Sequence, residues 1–390
     1  MPARVLPAAR SLARRGHQVT VLIPPWDSPE DAGREDRSAN LVVRHFPLRG
    51  RGRWAWPLLA LGLARAAWAT HPDVIHFFKP KGFSAWAHLW AWGQRQRTGG
   101  EGPGLVVDSD DWEGPGGWNE LGGYPPWMQA LFAWQERWGL RHADRVTVVS
   151  RALEDRVVRL GVPASKVHRV PNALEADHPA LLAPTWPGEG SGDPVLLLYS
   201  RLWEFDHART ARRLRLLQDR LRALEIWVAG QGRPADEASW WGALSEAGLG
   251  PRVRWLGWVF PRALPGTAVN VSASLVPLRG HPVNRARFPV KVLELMALGL
   301  PLAADAVGEL PELLGDGECG LLLPEEDEAW VGSLAGFLER RDLRLRLGAR
   351  ARERVREGYL WERWAGVLEA TYAAVSPASP VRLAGSTGAD

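Results

Sequence analysis

The 390-residue sequence contains a single cysteine, Cys319, and no run of 18 consecutive apolar residues. One cysteine excludes an intramolecular disulfide framework and a zinc site built on cysteines. The lack of a long apolar run argues against a membrane-spanning helix. The N-terminus has no charged segment followed by an apolar one, so no signal peptide is visible. These absences together predict a cytoplasmic protein.

Lysine is also scarce, because only four of the 48 basic residues are lysine and the other 44 are arginine. Such a skew is typical of codon bias, and it makes each lysine an unusual choice. Tryptophan is abundant, with 22 residues, which fits either a bulky core or surfaces that contact sugars or an interface. Hydrophobic residues make up 46% of the chain, which excludes a mostly disordered protein.

Short apolar runs alternate with segments of helical period along the chain. The predicted strands cover residues 19–23, 41–46, 74–77, 105–107, 145–149, 167–170, 195–199, 226–229, 253–256, 269–275, 300–304 and 321–323. The predicted helices cover residues 5–15, 151–160, 208–222, 289–298, 326–341 and, in two pieces, 342–376. Strands separated by helices predict an α/β fold of parallel sheets with helices on both faces.

The pattern stops and restarts once, which predicts two doubly wound domains. The predicted divisions are an N-terminal domain over 1–172, a Pro- and Gly-rich linker over 173–194, a C-terminal domain over 195–356, a helix over 357–376 that packs back on the N-terminal domain, and a disordered tail over 377–390. Two such domains would face a cleft lined by the carboxyl ends of their strands, where folds of this kind bind ligands.

The segment 277–320 contains the most informative cluster of charges. Pro289 and Gly299 suit the start and the end of a short apolar helix. Cations gather at the amino end of this helix, namely Arg279, Arg285, Arg287 and Lys291, with His281 and Asn284 in the same loop. Because a helix amino end is already positive, these cations favour a bound anion such as a phosphate.

Two further residues accompany this cluster. Glu294 is the only acid in the apolar helix, and it can either pair with Lys291 at i,i+3 or bind the hydroxyls of a ribose. Arg201 directly follows the predicted strand 195–199. It can either contact a diphosphate or be one more solvated arginine.

With these residues the chain resembles glycosyltransferase family 4, a family of retaining enzymes with the GT-B architecture of two Rossmann-like domains. The resemblance extends over nearly the whole chain and rests on segments 10–22, 71–77, 143–175, 199–202, 228–232, 289–301 and 307–314. It implies that Arg201 and Lys291 act on the donor diphosphate and that Glu294 binds the ribose. It also implies donor contacts from Arg287, Asn284, His281, Gly230, Gly232, Gly308 and Glu309, with residues 254–258 along the base.

The sequence departs from the family pattern at three places. Asp206 stands where the family usually has a lysine, and Ala286 stands where it usually has a glutamate. Lys291 or Arg287 can supply the missing cation, and Lys291 is the preferred candidate. The family's first strand and glycine-rich loop are not seen before residue 4, which predicts a late-assigned start, a truncation or a loss of acceptor handling. It also predicts exposed edges in the N-terminal sheet.

Acceptor-side candidates lie at the ends of two N-terminal strands. Asp108, Asp110 and Asp111 follow one strand, and His76 and Lys79 lie at the end of another. An Asp-x-Asp string binds a metal in glycosyltransferases of a different architecture. Here it lies in the wrong domain for the donor, so an acceptor-side role or support of the loop 113–123 is favoured and no metal is predicted. The residues 44–68 and 77–97 combine basic side chains with tryptophans, which fits either a membrane interface or helices packed on the sheet.

The predicted function is transfer of a hexosyl group from a nucleoside-diphosphate sugar to a carbohydrate or lipid-linked acceptor, with retention. No cofactor besides this co-substrate and no nucleic acid is expected, and contact with the inner face of the membrane, in cell-envelope polysaccharide synthesis, is the expected setting. The alternatives are an inactive nucleotide-sugar-binding subunit or scaffold, and an epimerase of the same fold.

Overall fold

The computed structural model describes residues 4–25, 29–47, 55–187 and 193–376. These residues form two compact units. The C-terminal unit contains residues 4–11, 149–152 and 171–364, and the N-terminal unit contains residues 12–148, 153–170 and 365–376. The tail predicted over 377–390 lies outside the described residues.

The N-terminal unit contains two sheets among its described residues. The first has the order β1-β3-β2 and the second the order β4-β5-β6-β7. Their strands are β1 (Val19–Ile23), β2 (Glu35–Ser38), β3 (Leu41–His45), β4 (Val74–Phe78), β5 (Gly104–Ser109), β6 (Arg145–Val148) and β7 (Val167–Arg169). The four-stranded sheet is parallel throughout, whereas β2 pairs antiparallel with β3. The sequence did not predict β2, since Glu35–Ser38 is polar and mostly exposed.

The C-terminal unit contains one parallel sheet with the order β10-β9-β8-β11-β12-β13. Its strands are β8 (Val195–Tyr199), β9 (Glu225–Ala229), β10 (Val253–Gly257), β11 (Ala273–Val276), β12 (Leu302–Asp305) and β13 (Leu321–Leu323). The order reverses between β8 and β11, as in the doubly wound dinucleotide-binding fold. The predicted strand 269–275 begins later than expected, because residues up to Ala268 form a short helix.

The helices that accompany these strands include every predicted helical segment and several that the sequence did not predict, among them Pro126–His142 and Pro234–Glu246. They are α1 (Val5–Arg14), α2 (Ala55–Ala69), α3 (Gly82–Arg97), α4 (Trp118–Leu121), α5 (Pro126–His142), α6 (Arg151–Arg159), α7 (Pro179–Leu182), α8 (His207–Arg220), α9 (Pro234–Glu246), α10 (Leu264–Ala268), α11 (Pro282–Ala286), α12 (Val290–Leu298), α13 (Leu310–Leu313), α14 (Asp327–Glu339), α15 (Arg341–Gly358) and α16 (Trp361–Ala373). No helix of the described part is both long enough and apolar enough to cross a bilayer.

The core of the C-terminal unit lies between its sheet and α8, α9 and α14. Leu196, Leu198, Leu214, Trp240 and Trp330 belong to it and are almost completely buried. Close-packed side chains of this size contribute about 1.5–3 kcal/mol each to folding. This packing keeps the sheet, and so the loops at its carboxyl edge, in a defined arrangement.

The described part of the predicted linker is packed on the C-terminal unit. Trp186 is buried, and its indole N–H donates to the carbonyl of Val271 at 3.0 Å. Arg352 donates to the carbonyl oxygens of Leu181 and Ala183 at 2.9 and 2.7 Å. A Pro- and Gly-rich composition indicates irregular backbone, and here that backbone is held by side chains distant in sequence.

Candidate active site

Two loops leave the centre of the C-terminal sheet at the point where its strand order reverses. One follows β8 and carries Arg201 and Glu204, and the other follows β11 and leads into α11 and α12. Ligands of doubly wound sheets bind outside the carboxyl ends of the strands at such a point. The donor-site candidates therefore gather where the topology predicts a ligand.

The turn after β8 is tight and partly strained. Leu202 is fully buried with φ of 68°, and its backbone N–H donates to the Ser200 hydroxyl at 3.0 Å. A Cβ on Gly230 would lie 1.8 Å from the Ser200 carbonyl oxygen. The Gly232 N–H donates to the Glu237 carboxylate at 2.9 Å. A Cβ on Gly232 would lie 3.2 Å from the Arg201 carbonyl oxygen, so both glycines let the end of β9 approach the β8 turn, a role that the resemblance had not suggested.

Glu204 pairs with two of the cations at the carboxyl ends of these strands, although the sequence had not indicated it as a site residue. Its side chain is only 2% exposed, and its carboxylate accepts hydrogen bonds from the Lys291 ammonium, from Arg287 at 2.6 Å and from the Ser200 hydroxyl at 2.7 Å. Burial acts against its charge, but Lys291 and Arg287 outweigh burial and hold the pKa of Glu204 far below its usual range. The signal was an acid within an otherwise apolar stretch, residues 202–205.

Lys291 does not pair with Glu294, although the sequence offered that pair as one of two alternatives. Its ammonium pairs with Glu204. Burial lowers the pKa of Lys291 to about 8, despite the attraction of Glu204. The i,i+3 pairing of Lys291 with Glu294 does not occur among the described residues.

Glu294 is buried among polar groups from elsewhere in the C-terminal unit. The Tyr199 hydroxyl donates to its carboxylate at 3.4 Å, and His178 Nε2 lies 3.6 Å from its other oxygen. Burial and the neighbouring carboxylate raise the pKa of Tyr199 above its usual value. A carboxylate held in this way, one turn beyond Lys291, can accept hydrogen bonds from hydroxyl groups.

Arg201 differs from the other cations of this edge. Its side chain is exposed, and within the described ranges its guanidinium has no hydrogen-bond or ion-pair partner. The backbone N–H of Arg201 donates to Glu204 at 3.3 Å, which ties the residue to the cluster. Arg201 therefore offers unused donors to an anion.

The loop before α12 is held by Asn284 and His281. The Asn284 amide donates to the carbonyl oxygens of Glu204 and Arg279 at 2.6 and 2.9 Å, and His281 Nδ1 accepts the Val283 N–H at the start of α11. These side chains shape the loop. Arg287 lies over the Trp203 ring at 4.9 Å, and its Nε and one NH2 group are buried without a partner.

The two remaining donor candidates also have structural partners. Gly308 has φ of 61°, and a Cβ there would lie 2.7 Å from the Asn284 carbonyl oxygen. The buried Glu309 carboxylate accepts the Arg151 N–H at 2.9 Å. Along the predicted base region, Arg254 stacks on Trp227 at 4.9 Å, whereas Trp258 is 51% exposed.

The two positions that depart from the family pattern have defined roles. The Asp206 carboxylate accepts the Arg209 N–H at 2.9 Å and caps α8, which suits the amino end of a helix. Ala286 is buried, and its carbonyl accepts a hydrogen bond from the Ser150 hydroxyl. Neither position therefore supplies the lysine or the glutamate of the family pattern.

In the N-terminal unit two of the three predicted acceptor-side acids, Asp110 and Asp111, lie against Lys79. Lys79 contacts Asp111 and lies 3.5 Å from Asp110, and Lys81 pairs with the buried Glu113. Burial acts against the charge of Lys79, but the carboxylates together raise its pKa well above the usual value. The part of the chain described contains no group of three His, Cys, Asp or Glu side chains arranged to hold a metal ion.

Asp108 and His76 lie further inside the same unit. Asp108 is fully buried and accepts a hydrogen bond from the Thr147 hydroxyl. His76 bridges the Thr147 hydroxyl at 3.1 Å and the Tyr372 hydroxyl at 2.8 Å. The side chains of these two candidates therefore have internal hydrogen bonds, although the Lys79 N–H also donates to the Asp108 carbonyl oxygen at 3.1 Å.

Comparison with known proteins identifies the family. Residues 1–173 match the model of a glycosyl transferase 4-like domain, and residues 193–340 match the model of glycosyl transferases group 1. The two models together cover most of the sequence. The chain belongs to glycosyltransferase family 4 and has the two Rossmann-like domains of the GT-B fold, as the sequence predicted.

Individual relatives are similar over part of their length or in fold alone. D-inositol 3-phosphate glycosyltransferase of Corynebacterium efficiens is 30% identical over 166 residues, which are 42% of this chain and 38% of that protein. Sucrose-phosphate synthase of Thermosynechococcus elongatus has a TM-score of 0.69 at 21% identity, over 94% of this chain and 91% of its own. Alr3699/HepE of Anabaena, solved with UDP and glucose, has a TM-score of 0.61 at 15% identity, over 85% and 86%.

Proposed function

We propose that the chain transfers a hexosyl group from a nucleoside-diphosphate sugar to an acceptor with retention of configuration. The observation that carries this proposal is the gathering of Arg201, Arg287 and Lys291 at the strand-order reversal of the C-terminal sheet. Arg201 and Arg287 both have N–H groups without partners. A diphosphate is the common biological anion that matches several convergent arginine and lysine donors.

The chemistry assigned to these residues is electrostatic. As the bond to the sugar breaks, negative charge grows on the departing diphosphate, and fixed cations stabilise that charge. In the proposed course, the acceptor oxygen bonds to the anomeric carbon on the face that the diphosphate leaves, and the diphosphate takes the acceptor proton, so no protein nucleophile is needed. Binding of the nucleotide, which does not react, holds the geometry.

The function is tested by calorimetry with UDP, GDP and ADP, followed by transfer assays with the corresponding sugar nucleotides. The proposal expects binding of at least one diphosphate and turnover of its sugar in the presence of excess chelator. Binding without turnover would favour the nucleotide-sugar-binding scaffold, which Asp206 and Ala286 at the two departing positions support. Absence of binding would refute both.

Replacement of Glu294 by alanine is expected to weaken nucleoside diphosphate binding by tenfold or more. A hydrogen bond between a carboxylate and ribose hydroxyls contributes about 1.5–3 kcal/mol, and Glu294 is a buried carboxylate on α12, one turn beyond Lys291. Calorimetry compares this variant with Tyr199→Phe, which removes the 3.4 Å hydrogen bond but keeps the carboxylate. An equal loss of nucleotide affinity in Glu294→Ala and Tyr199→Phe would assign Glu294 a structural role.

We further propose that the N-terminal unit contacts an anionic membrane surface, but through different residues from those the sequence indicated. Lys79, Lys81 and Arg44 are paired with acids. Arg49, Arg51, Arg53 and Trp54 lie outside the described residues. Lys79, Lys81 and Arg44 are therefore already neutralised.

The helices α2, α3 and α5 support this contact better. They pack in one layer, and their sequences contain five arginines but a single acid, Glu136, which is buried and paired with Arg156. One of the five, Arg95, pairs with Asp144 at 2.5 Å, which leaves four arginines without an acidic partner among the described residues. Trp86, Trp127 and Trp134 on this layer are 40%, 65% and 46% exposed. Exposed tryptophans beside arginines, without exposed acids, are typical of surfaces that bind at the lipid headgroups.

The double variant Trp127→Ala, Trp134→Ala is expected to lower binding to vesicles of anionic lipid at least tenfold. Burial of each large apolar side chain contributes about 1.5–3 kcal/mol. Co-sedimentation with anionic and with neutral vesicles measures the loss, and Trp258→Ala, on the other unit and similarly exposed, serves as the control. Equal binding by the double variant and the control would contradict the assignment.

A further inference from the structure

We propose that Glu204 is a positioning residue of the donor site, which keeps Lys291 charged and aims Lys291 and Arg287 at a bound diphosphate. This inference rests on the proposed function, since it concerns the same anion. It assigns a role to a residue that would not itself touch the donor.

The geometry provides the first argument. Glu204 reaches from the loop after β8 to the first turn of α12, and each of its oxygens accepts from a different cation. An ammonium has three donors and a guanidinium five. After their bonds to Glu204, Lys291 retains further N–H groups, and Arg287 retains its buried Nε and NH2 without a partner. The carboxylate fixes both cations and leaves donors for a ligand.

The charge provides the second argument. The charged groups that face the Lys291 ammonium are Glu204 and Arg201 from the loop after β8 and Arg287 from the turn before α12. Two of these three are cations, and α12 also presents its positive end here. Glu204 is therefore the only one of the three that favours a protonated Lys291. Without it, burial and two like charges would drive Lys291 towards its neutral form.

The direction of the pH effect follows from this arrangement. An anionic ligand binds best to protonated Lys291, whose pKa in the free protein is lowered by burial to about 8. In the wild type, affinity for the diphosphate should therefore fall as the pH rises through about 8. In Glu204→Gln the pKa of Lys291 falls further, so the loss of affinity should occur at lower pH.

The experiment measures UDP, GDP and ADP affinity by calorimetry between about pH 7, where the terminal phosphate is already ionised, and about pH 9.5, just below the range in which an ordinary lysine titrates. At about pH 7, Glu204→Gln is expected to bind the nucleotide at least tenfold more weakly than the wild type. Its affinity should then change little as the pH is raised further. If Glu204→Gln lost affinity by the same factor at every pH and its affinity still fell near pH 8 as in the wild type, Glu204 would be a structural residue only. Tighter binding at every pH would make it a competitor of the ligand, and either result overturns the proposal.

Two further variants test separately the charge of Lys291 and the position of the Glu204 carboxylate. Adding Lys291→Arg to Glu204→Gln restores a permanent cation and should recover most of the affinity with no pH dependence. Glu204→Asp keeps the buried charge, and so the fold, but reaches less far. It should weaken binding about tenfold while keeping the fall near pH 8, and unchanged affinity would contradict the positioning role even if Glu204→Gln does not fold.

Asp206→Asn is the matched control, because it makes the same chemical change two residues away, on a side chain that caps α8 and contacts neither cation. It should reproduce the wild-type profile. If the wild type itself binds none of the three nucleotides, the proposed function fails. If the wild type binds and Glu204→Gln follows its profile, only the role of Glu204 fails.

Discussion

Replacement of Arg201 by alanine is expected to lower the rate of sugar transfer by about 100- to 1,000-fold, the usual loss when one fixed donor to developing charge is removed. The residue suits this test because its side chain is exposed and its guanidinium has no partner in the described structure. Removal of the side chain therefore breaks no contact that stabilises the fold. A fall in rate would report the reaction and not the stability of the protein.

Steady-state transfer rates and diphosphate affinity are measured for Arg201→Ala beside Arg222→Ala. Arg222 is also exposed, and it lies just before the amino end of β9, at the opposite edge of the same sheet. The control should behave as wild type, and the thermal midpoints of both variants should stay unchanged. A normal rate and a normal affinity in Arg201→Ala would remove this residue from the donor site and return it to the solvated arginines.

Replacement of Gly230 by alanine is expected to destabilise the C-terminal unit and to abolish nucleotide binding. The residue has φ of 132°, and a strained backbone of this kind costs about 1–3 kcal/mol. The added Cβ would also lie 1.8 Å from the Ser200 carbonyl oxygen, and overpacking costs about a further 1–3 kcal/mol. Relief of the clash requires the turn that carries Arg201 and Glu204 to move.

Denaturant unfolding and calorimetry compare this variant with Gly242→Ala. Gly242 lies on the exposed face of α9 in the same unit, and a Cβ there meets no atom within 4 Å. Alanine is favoured over glycine in a helix by about 1 kcal/mol, so the control should be slightly more stable than wild type. Wild-type stability and binding in Gly230→Ala would show that the β8 turn adapts freely.

The sequence by itself determined the fold class, the family and nearly all of the strands, but helices such as α5 and α9 were not predicted. The apolar run 195–199 is a strand whose first four side chains are buried and whose last, Tyr199, is partly buried. Gly299 ends α12 in the left-handed conformation, with φ of 73°, as its position after an apolar helix predicted. Local patterns of this kind depend on neighbouring residues, and those can be read along the chain.

The partners of the charged residues were decided only by the tertiary structure. Lys291 and Glu294 are three residues apart, yet Lys291 pairs with Glu204, 87 residues before it, and Glu294 contacts Tyr199. Lys79 likewise contacts Asp111, which lies in the loop after β5. Sequence spacing gives the distance between two side chains on one helix, but a buried charge takes whichever opposite charge the packing of the sheet brings to it. That choice depends on the order of the strands, and no local pattern contains it.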